Sequence, residues 1–243
     1  MLVMQYASEG NLLSYLNRNI NKLTWRMKLQ CLRDIADSLL VIHSAGLVHC
    51  DLHAGNIVLD DSTWNTRYDD FNISRPFICD LGLSQSEASE SHSATKGVLP
   101  FIAPEVFCTR KFTQKSDIYA FGIIVCLIAS GEPPFRDREF DRNLLCDILG
   151  GLRPAMPESA PEAYKNLTNL CCETDPNKRP GWDLSSRIAN ILDSDDYRES
   201  ILWDDIYYND VKPLSRLEKE SKYSSKVFPT GDSFAGMKIA TIY

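Results

Sequence analysis

A chain of 243 residues, 44% of them hydrophobic and 24% charged, has enough apolar material for one sizeable core plus a tail. Its formal net charge of −7 argues against nonspecific binding to nucleic acid or an anionic membrane, since both are themselves negative. No signal-peptide pattern opens the chain, and the longest apolar run, Ile118 to Ala129, is well short of the roughly 20 residues that span a bilayer, so a cytoplasmic protein is expected.

In chain order, Met1 to Tyr6 reads as the end of a strand and Ser8 to Gly10 as a turn, followed by a short helix in NLLSYLNRN. From Thr24, a suitable N-cap, apolar residues recur at Trp25, Leu29, Leu32, Ala36, Leu39 and His43 with the spacing of one buried helical face, until Gly46 ends the helix. The stretch HCDLHAGN, His49 to Asn56, reads as a loop. Two short strands are expected at IVLD, 57 to 60, and PFICD, 76 to 80, on either side of a polar insert. A Ser-rich loop covers 84 to 95. Helices are then expected near 115 to 130, 138 to 149, 162 to 172 and 183 to 193, divided by the turn sequences SGEPPF and DPNKRPG. Beyond 193 the chain is first acidic, to Asp210, then leans basic from Val211 to Lys226, with no sustained apolar period. Residues 194 to 243 read as a partly disordered tail. The eight cysteines form no CxxC pair and sit mostly in apolar runs, as reduced, small hydrophobes would.

Phosphoryl transfer from ATP needs a residue that orients the attacking hydroxyl and accepts its proton, and oxygen ligands that hold Mg²⁺ against the phosphates. Asp51, Asn56 and Asp80 are candidates for both tasks. The D-x-x-x-x-N spacing within one loop lets Asp51 face a substrate while the Asn56 amide oxygen faces a metal, and Asp80 in CDLG can complete the metal site, with Gly82 giving backbone freedom beside it.

Several motifs in order resemble the eukaryotic protein kinase family. HCDLHAGN is similar to the catalytic loop HRDLxxxN, DLG at 80 to 82 to the DFG metal motif, and APE at 103 to 105 to the APE motif. GVLPFIAPE resembles the substrate-docking loop, DIYAFG at 117 to 122 the start of the central buried helix, and NKRP at 177 to 180 the late Arg-Pro motif. The resemblance covers residues 1 to 193 and is closest in character to the tyrosine-kinase-like group, particularly kinases expanded in some fungi. It implies ATP and Mg²⁺ as cofactors, a protein substrate, and a mainly α (α+β) fold: the helical C-terminal lobe of a protein kinase with a small β-hairpin.

Position by position, the resemblance makes Asp51 the catalytic base and Asn56 and Asp80 the Mg²⁺ ligands. Val3 to Ala7 resembles the hinge, with Met4 as gatekeeper and Ala7 offering backbone groups to adenine; Gln5, Asn11, His53 and Val58 complete the nucleotide-binding side. His49 packs under the loop, Asp117 bonds the loop backbone, and Glu105 pairs with Arg179 in a buried clamp.

Four positions depart from the pattern, one of them mildly: Leu81 stands in place of Phe, one core residue for another. Cys50 stands where the family has an Arg that pairs with a phosphate on the activation loop, and a thiol cannot do this, so phosphorylation of the Ser-rich loop is expected to have little effect through this residue. His53 replaces a Lys that touches the transferred phosphate in many Ser/Thr kinases. Val98 replaces a Thr that would bond the catalytic loop. The residues given start at the hinge, so the small lobe with its Gly-rich loop has no counterpart in them, and this chain alone is expected to be impaired in phosphoryl transfer and to expose apolar surface to a small lobe or another protein partner. The expected function is ATP-dependent phosphorylation of Ser or Thr, less readily Tyr. A pseudokinase or scaffold is the alternative. A small-molecule phosphotransferase, whose loop also reads H-x-D-x-H-x-x-N, is disfavoured by APE, DIYAFG and NKRP.

Overall fold

A computed structural model of the chain describes residues 6–60, 74–87, 96–194 and 226–227. In chain order its helices are α1 (Leu12–Asn19), α2 (Trp25–Ser44), α3 (Pro104–Thr109), α4 (Gln114–Ser130), α5 (Arg142–Leu149), α6 (Glu162–Cys171) and α7 (Leu184–Asp193). The strands are β1 (Gly10–Asn11), β2 (Leu47–Val48), β3 (Ile57–Asp60), β4 (Arg75–Ile78), β5 (Gln85–Ser86), β6 (Lys96–Gly97) and β7 (Lys226–Val227).

The long helices start where a hydroxyl meets the first unpaired backbone N–H groups. Thr24 Oγ1 accepts the Met27 amide at 3.2 Å and starts α2. Thr113 and Ser116 exchange side-chain and backbone bonds in a capping box that starts α4. Asn11 caps α1 in the same way, through its side-chain oxygen and the Ser14 amide.

Every residue of α4 from Ser116 to Ala129 is buried, so the helix must be surrounded rather than laid on a surface. It packs against α6 on one side and α2 on another, and α7 packs on α2. At Gly122 a Cβ would lie 2.6 Å from Cys172 Sγ and 2.8 Å from Cys171 Cβ, so the close approach of α4 and the end of α6 depends on the missing side chain. Lys28 enters this layer and is buried because Nζ donates to the Ala129 carbonyl at 2.9 Å, at the C-terminal end of α4, and lies 4.3 Å from the Trp25 ring centre.

β1, β3 and β4 form an antiparallel sheet in the order β1-β3-β4, with Asn11 opposite Val58 and Ile57 opposite Ile78. Two further antiparallel pairs are β2 with β5 and β6 with β7. The structure corrects the expected hairpin in two ways. A third strand, β1, joins its edge, and the second strand ends at Ile78 rather than at residue 80, because Asp80 is left-handed (φ 60°) and leads into a 3-10 turn at Leu81–Leu83. The expected helix at 138 to 149 starts at Arg142, where Asp141 accepts the Leu144 amide at 3.0 Å. α3 was not expected. Tyr6 is not in a strand, and the rest of the strand end expected there lies outside the described residues, as do the polar insert at 61–73, most of the Ser-rich loop, and the tail apart from Ser194 and β7. All eight cysteines are free thiols. Among the described residues no helix is long and apolar enough to cross a membrane.

Candidate active site

The loop His49 to Asn56 leaves β2 and is held from below by one carboxylate in the first turn of α4. Asp117, 2% exposed, accepts the His49 amide on Oδ2 at 2.8 Å and the Cys50 amide on Oδ1 at 3.1 Å. Its Oδ2 also lies 2.9 Å from His43 Nε2, on the last turn of α2. The start of α4 favours this arrangement, since an anion in its first turn meets the positive end of the helix dipole. The grip also holds Cys50 in a left-handed conformation (φ 70°), which costs a residue with a Cβ about 1–2 kcal/mol. The Cys50 thiol is turned in on Val48 O at 3.4 Å. Burial, followed by the nearby Asp117 carboxylate, pushes it up to about 12, so it stays a neutral thiol and offers no cation at this position.

His49 is fully buried and bridges the loop to the strand end. Its Nδ1 accepts the Asp51 amide at 3.3 Å, which leaves the proton on Nε2, 3.1 Å from the Cys79 carbonyl. Asn56 fixes Asp51 from the other side. Its side-chain amide nitrogen donates to the Asp51 carbonyl at 2.9 Å and lies 3.5 Å from Asp51 Oδ2, while its backbone carbonyl accepts the Cys79 amide at 2.9 Å. The structure thus brings Asp51, Asn56 and the residue before Asp80 together at one end of the hairpin. Asp80 is exposed, and one of its oxygens accepts the Gly82 amide at 3.2 Å. His53 is buried, its Nδ1 accepts the Gly55 amide at 3.0 Å, and Nε2 faces Asp51 Oδ2 at 3.7 Å.

The donor set suits a small hard cation. With the Asn56 nitrogen committed to Asp51, its oxygen is the end available outside the loop, and Asp80 adds a carboxylate; Mg²⁺ is commonly held by one or two such protein groups with phosphate oxygens and water. Of the nucleotide-side candidates, Asn11 and Val58 are cross-strand partners on β1 and β3, and Asn11 spends its side-chain oxygen on the α1 cap. Ala7 is half-buried just ahead of β1. Met4 and Gln5 lie outside the described residues. A small cavity, with room for about one water, lies between the loop, the segment Val98–Ala103 and α4; its walls include Leu52, Phe101, Ile102 and Ala120 and no residue of the three-stranded sheet. Val98 packs there as a buried apolar residue.

Further down, Arg179 forms a two-pronged pair with Glu105, Nη1 to Oε1 at 2.6 Å and Nη2 to Oε2 at 2.8 Å. Its side chain is fully buried and also donates to the carbonyls of Glu173 and Lys115. The guanidinium of Arg179 lies 5.2 Å from the Tyr119 ring centre and that of Arg153 lies 5.1 Å from it. Sequence reasoning missed His43, which it read as one more position on the apolar face of α2. A histidine in the last turn of a helix was the available signal.

The sequence description of the protein tyrosine and serine/threonine kinase family matches residues 1–186. Among curated proteins, the chain is similar to a probable serine/threonine-protein kinase of Dictyostelium discoideum, 28% identical over 210 residues, covering 82% of this chain and 14% of the relative. It is also similar to the probable serine/threonine-protein kinase roco8 of the same organism, 33% identical over 198 residues, 79% of this chain and 10% of the relative. The dual specificity protein kinase zakA, again from Dictyostelium discoideum, is 30% identical over 187 residues, 74% of this chain and 24% of the relative. The chain therefore spans less than a quarter of the length of each of these relatives.

Proposed function

The chain belongs to the protein tyrosine and serine/threonine kinase family, and from that premise we propose that it catalyses transfer of the γ-phosphoryl group of ATP to a Ser or Thr hydroxyl of a protein, its described residues forming the helical lobe of the kinase fold. The observation that carries the reading is the convergence of Asp51, Asn56 and the start of the Asp80 turn around two bonds, Asn56 to the Asp51 carbonyl and Cys79 to the Asn56 carbonyl.

In this reading Asp51 receives the acceptor hydroxyl and takes its proton as the oxygen bonds to the γ-phosphorus and the bond to the ADP oxygen breaks. The loop is built to keep Asp51 still: its amide is tied to His49, its carbonyl to Asn56, and the two residues before it to Asp117. Such positioning supplies most of the catalysis when little covalent chemistry falls to the protein. Asn56 and Asp80 would hold Mg²⁺, which when bound would neutralise phosphate charge. His53 Nε2, close to Asp51 Oδ2, orients the base and faces the transferred group. Ala7, Asn11 and Val58, with Met4 and Gln5, form the adenine side. Preference for Ser or Thr is supported by the names of most relatives, and the dual specificity of zakA keeps Tyr as the lesser acceptor. A scaffold reading draws on the neutral, buried Cys50 and the apolar Val98.

The test is nucleotide binding with and without Mg²⁺, followed by the fluorescence of an ATP analogue on the intact protein. Asp80→Ala is expected to lose the Mg²⁺-dependent part of the affinity. Unchanged Mg²⁺-dependent binding in that variant would remove Asp80 from the metal site, and no binding by the unsubstituted protein would favour the scaffold.

A further inference from the structure

The β6–β7 pair joins two distant parts of the chain at a consequential place. Lys96 is opposite Val227 and Gly97 opposite Lys226, in antiparallel register. Gly97 has φ +141°, a conformation open essentially to glycine alone, and a Cβ built on it would lie 3.1 Å from Ile102 Cγ1 and 3.4 Å from Asp51 Oδ1. Gly97 thus has no side chain to separate its backbone from the Asp51 carboxylate, and that backbone is a wall of the site. Ile102 and Asp51 also line the small cavity on the Val98–Ala103 side of the loop. A chain paired with Gly97 runs one strand spacing, about 4.8 Å, from that wall.

We propose that the Lys96–Gly97 backbone is an edge that accepts an extended peptide, and that this chain's own Lys226–Val227 segment occupies it and competes with the protein acceptor for the space beside Asp51. The proposal rests on the kinase reading for the identity of the competitor. An acceptor hydroxyl must come within about 3 Å of the Asp51 carboxylate, and the Gly97 backbone beside that carboxylate is where a peptide delivering it would lie. Main-chain pairing on a strand edge recognises extended chain with little regard to sequence, which suits one edge to both a tail and a substrate. Two residues paired with two are marginal by themselves, so occupancy depends on the high effective concentration of a segment on the same chain, and an acceptor can displace it.

The test uses the full chain and a double variant, K226P/V227P, in which proline removes two strand N–H groups; K226A/V227A, which keeps them, is the control. Two quantities are read: hydrogen exchange of the fragment containing residues 96–101, by mass spectrometry, and the affinity of a fluorescein-labelled synthetic peptide of residues 222–231, by anisotropy. The proline variant should exchange severalfold faster in that fragment and bind the peptide about tenfold more tightly, because the competing segment is gone. The alanine variant should match the unsubstituted chain. Equal exchange and equal affinity in all three proteins would overturn the proposal, as would protection that rises with protein concentration, which would assign the strand to a second copy. Neither readout requires phosphate transfer, so a protein that passes both yet transfers no phosphate sinks the kinase reading alone.

Discussion

Asp117 shows how much one carboxylate can carry. It is the acceptor for two loop amides and the partner of His43, all buried, so its removal leaves three polar groups without that acceptor. Each costs about 1–3 kcal/mol when stranded in the interior. Asp117→Ala is therefore expected to lower stability by at least about 3 kcal/mol, read as a fall in the urea midpoint; a midpoint unchanged from the parent would contradict this account of the loop. The thiols behave differently, since they stay protonated rather than pair. Burial pushes Cys126 and Cys171 from an ordinary 9.0 up to about 12 and Cys31 higher still. The folded chain thus keeps protons that the unfolded chain releases. This contribution is complete below pH 9.0 and is lost as the pH rises toward about 12. Between pH 8 and pH 10 the urea midpoint should fall, with about 1.4 kcal/mol per buried thiol for each pH unit above 9. A rise over that interval would show that the thiols are not held neutral.

Among the elements, α2 and α4 were legible in the sequence because their signals are local: Thr24 stands just before a periodic apolar face, and the Ile118–Ala129 run is too apolar to lie anywhere but in the core. β1 was not legible. It is two residues long, contains a glycine, and exists only because residues 58 and 59 pair with it. The left-handed turn at Asp80 escaped for a related reason, since PFICD reads as an uninterrupted strand until the Asp80 side chain bonds the Gly82 amide. The site residues were named from their spacing and from the family resemblance. The His43–Asp117 contact joins positions 74 apart and leaves no trace in either segment. The Glu105–Arg179 pair, which ties α3 to the segment after α6, also spans 74 positions, yet both residues stood in recognisable motifs. Glu105→Gln should destabilise the protein by about 3 kcal/mol, toward the low end for a broken buried pair because Glu105 retains 19% exposure. Arg179→Lys should cost a similar amount, since an ammonium cannot keep the two-pronged contact and the carbonyls of Glu173 and Lys115 together. Changes within about 0.5 kcal/mol, measured by urea unfolding, would place both among ordinary surface substitutions.

At the scale of the whole molecule, the helical layers around α4 serve to hold one loop. Asp117 projects from the first turn of α4, His43 from the end of α2, and β2 delivers the chain into the loop between them. The hairpin then fixes Asn56 against Cys79, and the Gly97 backbone lies beside Asp51. In the proposed function this frame aims the Asp51 carboxylate at an acceptor hydroxyl. This role is tested most directly by transfer of ³²P from [γ-³²P]ATP to an acceptor protein, comparing the intact protein with its Asp51→Asn variant and measuring nucleotide affinity in both. The amide keeps the shape and hydrogen-bonding size of the side chain but cannot take the proton, so transfer should fall about 10²–10⁴-fold while nucleotide affinity changes little. Transfer by Asp51→Asn at the rate of the unsubstituted protein would contradict the account.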